Sequence, residues 1–223
     1  MPVDPAWKKW TRTVWSLGYS RLCMVLAIVV CVIALASPIW AVTTQESASR
    51  WDTSVFGLLG VSSDHYDQSV YDGSSYMPYS GPSFQDHLVA SAVGASYALV
   101  VVYAVVLAIV VALFSMGRAR TMPRLGLLLV TIFTVLVALA ALFYPLLTVP
   151  GAAATDFSLA SLGSGFWGST AVPGGTIVWG AGAGWWLLLL AVILGSVGAA
   201  FPYLQSMRGT PYPPPPQGWQ PQR

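Results

Sequence analysis

Two long apolar segments without a charged residue lie in the middle of the chain, at residues 88–116 and 125–147. Each is long enough to cross the hydrocarbon core of a bilayer, which takes about 20 residues of helix. A segment exposed to lipid must satisfy its backbone hydrogen bonds internally, so runs of this length are predicted to be helices. The short connection at residues 117–124 carries Arg118, Arg120 and Arg124. The pair therefore predicts a transmembrane helical hairpin.

Two further apolar segments, residues 22–40 and 185–205, predict a first and a fourth span. The basic flank of the first, its apolar centre and Ala34-Leu35-Ala36 also fit a secretory signal peptide with a cleavage site. An uncleaved helix is preferred because the apolar run continues to Trp40, with Pro38 expected in the last turn. Small residues in the second and fourth spans favour close helix packing within the chain or, alternatively, a homo-oligomer seam. They are Ala90, Gly94, Ala98, Gly195, Ser196, Gly198, Ala199 and Ala200.

The composition agrees with a membrane protein. The chain is 56% hydrophobic and 8% charged, whereas soluble domains carry about a quarter charged residues. The predicted fold class is an all-α membrane protein, a four-transmembrane-helix bundle with a small extracytoplasmic β-containing cap.

The distribution of charge predicts the orientation. Nine of the ten Lys and Arg residues lie in residues 1–21, 117–124 and 206–223, and only Arg50 lies elsewhere. Of the eight acidic residues, all except Asp4 lie in residues 41–87 and 148–184. Because Lys and Arg in short loops set orientation, both termini are predicted to face the cytoplasm, in a multi-pass protein of the plasma membrane. The lipid bilayer is thus the partner of the basic residues, and no nucleic-acid partner is predicted.

The two ends of the chain have distinct compositions. Residues 1–21 combine basic residues with Trp7, Trp10, Trp15 and Tyr19, which suits an amphipathic helix at the inner interface or a charged flank that orients the next helix. Residues 206–223 form a proline-rich cytoplasmic tail, and a run such as 211–216 favours polyproline II. The tail is interpreted as a docking site for a proline-binding partner or as a short stub without a fixed fold.

The first outer segment, residues 41–87, is polar, and a loop this long is unusual without structure of its own. We predict a few short strands packed over the outer ends of the helices, with Trp40, Trp51 and Phe56 as apolar anchors. Its acidic and histidine side chains have the chemistry of divalent-cation ligands, but their spacing matches no calcium loop and no zinc signature. A solvated acidic surface is the preferred interpretation, and neither a metal nor a cofactor is predicted. These residues are Asp64, His65, Asp67, Asp72, Asp86 and His87.

The second outer segment, residues 148–184, is rich in Gly, Ser and Ala and carries one charge, Asp156. It is predicted to lie on or partly in the outer leaflet, packed against the first loop. The only cysteines, Cys23 and Cys31, fall in the first span, so no disulfide can join the outer loops within one chain. We predict that aromatic rings join them instead, since each ring can bury about 150 to 250 Å². The candidate rings are Trp40, Trp51, Phe56, Trp167 and Trp179.

Catalytic chemistry has little support in the spans. No Asp, Glu, Lys, Arg or His lies in the middle of any span, although proton relays and charged-substrate pathways usually need such residues at depth. The polar groups there are hydroxyls, such as those of Ser96, Tyr97, Tyr103, Thr131 and Thr134. The protein is therefore predicted not to be an enzyme.

The arrangement resembles the claudins and related tetraspan membrane proteins. The resemblance is carried by the four spans, a Trp at or near the start of a long first outer loop, a second Trp further on, and a Gly-Leu element after it: Trp40 or Trp51, then Gly57-Leu58. The family continues with an aromatic residue and two cysteines, whereas this chain has Leu59 and no loop cysteine. The resemblance implies a left-handed four-helix bundle with an outer β-sheet. It also implies roles in cell contact, membrane organisation or assistance to other membrane proteins.

The function predicted from the sequence is therefore that of a non-enzymatic tetraspan membrane protein. It would act through lateral and outer-face contacts with other membrane proteins or with copies of itself. The alternative is a small transporter or accessory subunit for an uncharged or lipid-like molecule, with hydroxyl-lined surfaces between the second and third spans.

Overall fold

The computed structural model describes residues 18–47, 49–81, 84–116 and 122–207. These residues form four α-helices, six β-strands and one short 3-10 helix. The helices are α1 (Gly18–Leu35), α2 (His87–Ser115), α3 (Arg124–Asp156) and α4 (Ala183–Met207), and the 3-10 helix is Ala160–Ser164. The strands are β1 (Trp40–Ser47), β2 (Arg50–Phe56), β3 (Gly60–Asp67), β4 (Val70–Pro78), β5 (Gly168–Val172) and β6 (Gly175–Ala181).

Three predictions fall wholly or mostly outside the described residues. They are the amphipathic helix near the N-terminus, the basic turn around Arg118 and Arg120, and the proline-rich tail.

All four α-helices are long and apolar enough to cross a membrane. Their lengths are 18, 29, 33 and 25 residues in chain order, compared with about 20 residues for a bilayer core. This is the number of spans that the apolar segments predicted, and the chain has the elements of a multi-pass membrane protein.

Two helix boundaries differ from the prediction. Helix α1 ends at Leu35 rather than at residue 40, and Pro38 lies beyond it, where Trp40 already begins β1. Proline has no N–H to continue a helix, and this explains the early end. Helix α3 continues to Asp156 rather than ending at residue 147, with Pro145 and Pro150 inside it. Both prolines are buried, and neighbouring helices can compensate for the backbone bonds that a proline removes.

The helices pack in a closed series: α1 contacts α2 and α4, and α3 contacts α2 and α4. Small residues of α4 make the close contacts, as one reading of the sequence predicted. Gly198 lies against Met24 of α1, and the Ser20 hydroxyl donates to the Gly198 carbonyl at 2.6 Å. Gly195 lies against the Tyr103 ring of α2, whose hydroxyl donates to a carbonyl on α4 at 3.2 Å.

Both outer segments contribute to a single six-stranded antiparallel sheet with the order β4-β3-β2-β1-β6-β5. The contact predicted between residues 148–184 and the first outer segment is therefore confirmed. These residues do not form one loop, however. Their first part extends α3, and their second part forms β5 and β6 beside β1. Strand β1 pairs with β6 from Trp40 opposite Ala181 to Gln45 opposite Thr176.

The sheet is attached closely to the helices. The connector from α1 to β1 and the connector from β6 to α4 run side by side. The Gly182 N–H donates to the Ile39 carbonyl at 3.0 Å, and the Gly184 N–H donates to the Pro38 carbonyl at 2.8 Å. Buried side chains continue from the helices into the sheet as one cluster, so the sheet and the helices share a hydrophobic core.

The contact at Gly195 gives a test of the helix packing. In Gly195→Ala the added Cβ would overlap the Tyr103 hydroxyl, and a rigid ring cannot move aside without separating α2 from α4. We expect a lower thermal midpoint of the purified protein, corresponding to about 1 to 3 kcal/mol of overpacking.

Gly94→Ala is the matched control. Nothing lies within 4 Å of a Cβ at that position on α2, and alanine favours a helix over glycine by up to about 1 kcal/mol. The control should therefore retain or raise the midpoint. Equal losses in the two variants would contradict the described packing.

Candidate functional site

Trp40 and Phe56 lie at the end of the sheet that joins the helices. They are paired across β1 and β2, both are buried, and their ring centroids are 5.4 Å apart. The Trp40 indole N–H donates to the Phe166 carbonyl at 3.2 Å, and the Phe56 ring meets the Phe157 ring edge-on at 6.3 Å. Both residues therefore connect the first outer segment to the second.

Trp51 lies elsewhere. It stacks on Tyr66 at 5.0 Å, and Tyr66 meets Tyr71 edge-on at 5.7 Å. These three residues, which we call the aromatic row, face each other across β2, β3 and β4. Trp51 is an odd number of residues from Phe56, so alternation along the strand places it on the opposite face of the sheet.

Gly57 and Leu58 form the turn between β2 and β3. The Gly57 N–H donates to the Gly60 carbonyl, and its carbonyl accepts the Tyr79 hydroxyl at 2.9 Å. Leu58 and Leu59 are exposed, Leu59 by 72%, beside Leu35 and neighbouring residues at the outer end of α1. The turn thus places two apolar side chains where a membrane-spanning α1 would leave the bilayer.

Trp167 belongs to a separate aromatic cluster at the start of α4, with Phe166, Trp185 and Trp186, whereas Trp179 lies on β6 against Gly168. The buried Trp179 donates its indole N–H to the Gly165 carbonyl at 2.9 Å. Trp167 packs edge-on against Trp185 at 5.2 Å and against Phe166 at 4.9 Å. The prediction that aromatic side chains join the two outer segments is thus confirmed for Trp40 and Phe56. It is wrong for Trp51, which packs on Tyr66 of its own segment. The main connection between the two outer segments is the backbone hydrogen bonding of β1 with β6. The contacts of Trp40 and Phe56 add to it.

The two outer segments are connected without a disulfide within the chain. Cys23 and Cys31 are both free and both lie in α1.

The two edges of the sheet differ. Strand β5 has five residues, whereas β4 has nine and is exposed along almost its whole length. Strand β4 presents Val70, Tyr71 and Tyr76 with exposed fractions of 67%, 54% and 60%. Its sequence contains one charge, Asp72, and its only proline is the final residue. The sequence pattern did not single out this edge, because edge position depends on which strands pair.

The acidic and histidine residues of the first outer segment are dispersed. His65 and Asp52 form a hydrogen-bonded pair across β2 and β3, with Nδ1 and Oδ1 2.8 Å apart. In the described parts of the chain, no three His, Cys, Asp or Glu side chains are grouped closely enough to hold a metal ion. A second pair in this segment joins Arg50 to Glu46 at 3.3 Å, and both side chains are exposed.

A cavity of about 410 Å³ lies between the sheet and the segments next to α2 and α3. The sheet supplies an apolar row nearest the helices and then a row of hydroxyls, in which Ser54 and Ser63 are hydrogen-bonded at 2.8 Å. The opposite wall is apolar except for Asp86. The lining residues are Val42, Thr44, Ser54, Phe56, Val61, Ser63, Ser75, Met77, Phe84, Asp86, Phe157, Leu159, Leu162 and Ile177.

Asp86 lines this cavity close to a second carboxylate. Asp156, the last residue of α3, accepts the Val89 N–H at 2.8 Å and so caps the N-terminus of α2, where the helix dipole favours a negative charge. Burial and the nearby Asp156 raise the pKa of Asp86, and His87 opposes the shift. The sequence marked Asp86 and Asp156 as charges of the two outer segments, but it carried no signal that they meet.

The hydroxyls in the helices donate to backbone carbonyls. Tyr97 donates to Ser37 at 2.6 Å, and Thr131 donates to Ala199 at 3.0 Å. The buried Ser96 and Thr134 donate to carbonyls one turn back on their own helices. The Tyr97 and Thr131 bonds therefore connect separate elements, whereas the Ser96 and Thr134 bonds stay within one helix.

Comparison of the sequence with models of known protein families and with characterised proteins gives no match. The functional argument for this chain depends on its own geometry.

The Asp86 carboxyl predicts a pH-dependent stability difference. Because its pKa is raised in the folded state, ionisation costs more in the folded protein than in the unfolded one. This free-energy cost is absent when the pH is below the ordinary Asp pKa of 3.8, because the carboxyl is then protonated in both states. The cost grows as the pH rises toward and through the raised pKa of the folded state. Asp86→Asn should therefore raise the thermal midpoint at neutral pH and lose this advantage in acid.

Asp72→Asn on the exposed strand β4 is the control, and it should leave the midpoint unchanged at both pH values. A lower midpoint of Asp86→Asn at neutral pH would show that the charge stabilises the fold.

Proposed function

We propose that this chain is a non-enzymatic tetraspan membrane protein that acts by binding other proteins at its outer sheet and along its helices. The observation that carries the proposal is the β4 edge together with the aromatic row that ends on it. Membrane organisation, cell contact and assembly of a membrane complex are the roles that fit such a protein.

The β4 edge has the properties of a strand-pairing surface. An edge strand presents unpaired backbone donors and acceptors, and soluble proteins usually protect such edges with lysines, prolines, bulges or short strands. Strand β4 has nine residues, no lysine, and a proline only at its end. It has one irregularity, at Asp72, which has no partner in β3, and its pairing is regular from Gly73 to Pro78. An extended segment of a partner can add to such an edge, with side chains such as Val70 and Tyr76 giving specificity.

The aromatic row extends this surface over the sheet face. Trp and Tyr are enriched in the cores of protein interfaces, and Trp51, Tyr66 and Tyr71 are partly or fully exposed. Tyr71 belongs to β4 itself. Measured along β1, the aromatic row lies five residues beyond Trp40, at the far end of the sheet. At the rise per residue of a strand, this places the row about 17 Å from the helices. It is therefore placed to meet a partner outside the membrane.

A groove between α2 and α3 supports the lateral contacts. Its volume is about 590 Å³, and it is lined by apolar side chains with Tyr144 as the one polar group. Phe143 and Leu147 are exposed beside it. In a membrane this surface faces lipid or a neighbouring helix, because no water is present to cover it. The lining residues are Ala95, Ala98, Leu99, Val102, Ala140, Phe143, Tyr144 and Leu147.

The orientation within this proposal follows the charge distribution. The sheet lies outside the plasma membrane, and both termini lie in the cytoplasm, where the proline-rich tail offers a further docking segment. The resemblance to claudin-like tetraspan proteins, carried by Trp40 or Trp51 and by Gly57-Leu58, supports the same general role.

Photo-crosslinking in native membranes tests the contact surface. A photoreactive residue at Val70 of β4 should capture defined partner proteins or a second copy of the chain. The matched position is Ser169, which is exposed on the opposite edge strand β5 and should capture far less. Tyr71→Lys should abolish capture from position 70, because it adds a charge to the aromatic row. Ala171→Lys on β5 is its control.

Partner capture would be identified by mass spectrometry of the crosslinked bands. Equal capture from positions 70 and 169, or unchanged capture in Tyr71→Lys, would reject β4 as the contact edge.

Cysteine labelling tests the orientation. In a Cys23→Ser, Cys31→Ser background, Ser74→Cys on β4 should react with a membrane-impermeant maleimide in intact cells. Ser206→Cys at the end of α4 should react only after permeabilisation. The same reactivity of both positions from outside would disprove the proposed topology.

A further inference from the structure

The cavity beneath the sheet has the features of a ligand site that the contact function does not use. We propose that it binds an organic cation with an apolar body, such as an alkyl- or arylalkylammonium compound, with the Asp86 carboxylate as the counter-ion.

The charge of the site selects a cation. Among the described residues, Asp86 is the only charged one that lines the cavity. Within the described part of the chain, its carboxylate caps no helix N–H and forms no ion pair. Asp156 lies close enough to interact with it electrostatically, but its own carboxylate is occupied by the Val89 N–H. An unneutralised carboxylate beside a second one attracts positive charge and repels an anion.

A bare metal ion does not fit these ligands. Divalent cations take several oxygen or nitrogen ligands at close range. Among the described residues, no group of three suitable side chains occurs, and the remainder of the lining is mostly apolar. A cation that carries its own apolar surface matches the site better, because it fills the cavity without losing a hydration shell to it.

The aromatic side chains favour an ammonium head group. Phe56, Phe84 and Phe157 all line the cavity, and the first and last of these rings are 6.3 Å apart. The face of a phenyl ring attracts a cation within about 6 Å. Aromatic side chains commonly surround quaternary ammonium ligands in proteins. The Asp86 carboxylate can thus pair with the positive charge of the ligand, and the phenyl rings can pack against the groups on its nitrogen.

The rest of the cavity accommodates the apolar body. Its volume of about 410 Å³ lies within the range of roughly 300 to 1,000 Å³ found for small-molecule sites. Val42, Val61 and Ile177 provide apolar walls, and the Ser75 hydroxyl faces the space from β4. Because β4 is the free edge of the sheet, a ligand can enter beneath it without opening the hydrophobic core.

Binding of a defined probe tests the proposal. The full-length protein in an uncharged maltoside detergent is titrated with radiolabelled 4-phenylbutyl-trimethylammonium, and bound probe is displaced with an excess of unlabelled compound. The comparison ligand is its neutral isostere, in which carbon replaces the quaternary nitrogen. We expect saturable binding of the cation, about tenfold tighter than that of the isostere, because the isostere lacks the charge that the phenyl rings and the Asp86 carboxylate attract.

Three variants assign the binding to the cavity. Asp86→Asn should weaken the cation about tenfold and leave the isostere unchanged, and Asp72→Asn should affect neither ligand. Ser75→Trp, which fills the cavity mouth from an exposed strand position, should reduce both ligands. Thermal midpoints establish that each variant is folded.

Three results would overturn the proposal. They are the absence of displaceable cation binding to the wild type, equal affinities for the cation and its isostere, and wild-type cation affinity in folded Asp86→Asn. Equal affinities that both fall in Ser75→Trp would instead identify a neutral lipid-like occupant. None of these results bears on crosslinking at β4, so the two proposals fail independently.

Discussion

The pairing of β1 with β6 is the interaction on which the rest of the outer structure depends. It joins two segments that are far apart in sequence into one sheet, and both strands continue almost directly into helices. Without it, β5 and β6 would be an isolated hairpin, which is at best marginally stable in water. The first four strands would also lose the neighbour that covers β1. The pairing of β1 with β6 therefore determines whether the two outer segments form one sheet or two separate loops.

The same pairing sets the two faces of the sheet. With Trp40 opposite both Phe56 and Ala181, alternate residues of each strand turn toward the helices and enclose the cavity. The residues between them face outward and include the aromatic row. A shift of one residue would exchange the two sets. Buried anchors such as Trp40 and Phe56 therefore fix the position of exposed groups such as Tyr71.

The sequence predicted the membrane part better than the outer part, for a physical reason. The absence of charge marks a span directly, so the bounds predicted for the second span differ from those of α2 by one residue at each end. Proline is a less reliable signal for the end of a helix when the helix is buried, and α3 runs past Pro145 and Pro150. Outside the helices, the composition predicted strands and the aromatic side chains predicted anchors. Strand partners and the meeting of Asp86 with Asp156 depend on contacts between distant residues, which no local pattern records.

The attachment of the sheet to α1 and α4 has a mechanical consequence. A single residue, Gly182, separates β6 from α4, and the hydrogen bonds of Gly182 and Gly184 fasten the two connectors to each other. Since α1 and α4 also pack tightly at Gly198, the junction contains no slack linker. The sheet is thus attached to α1 and α4 without a flexible connection. A pull at the far end of the sheet would tilt α1 and α4 together rather than bend the connection between the sheet and the helices.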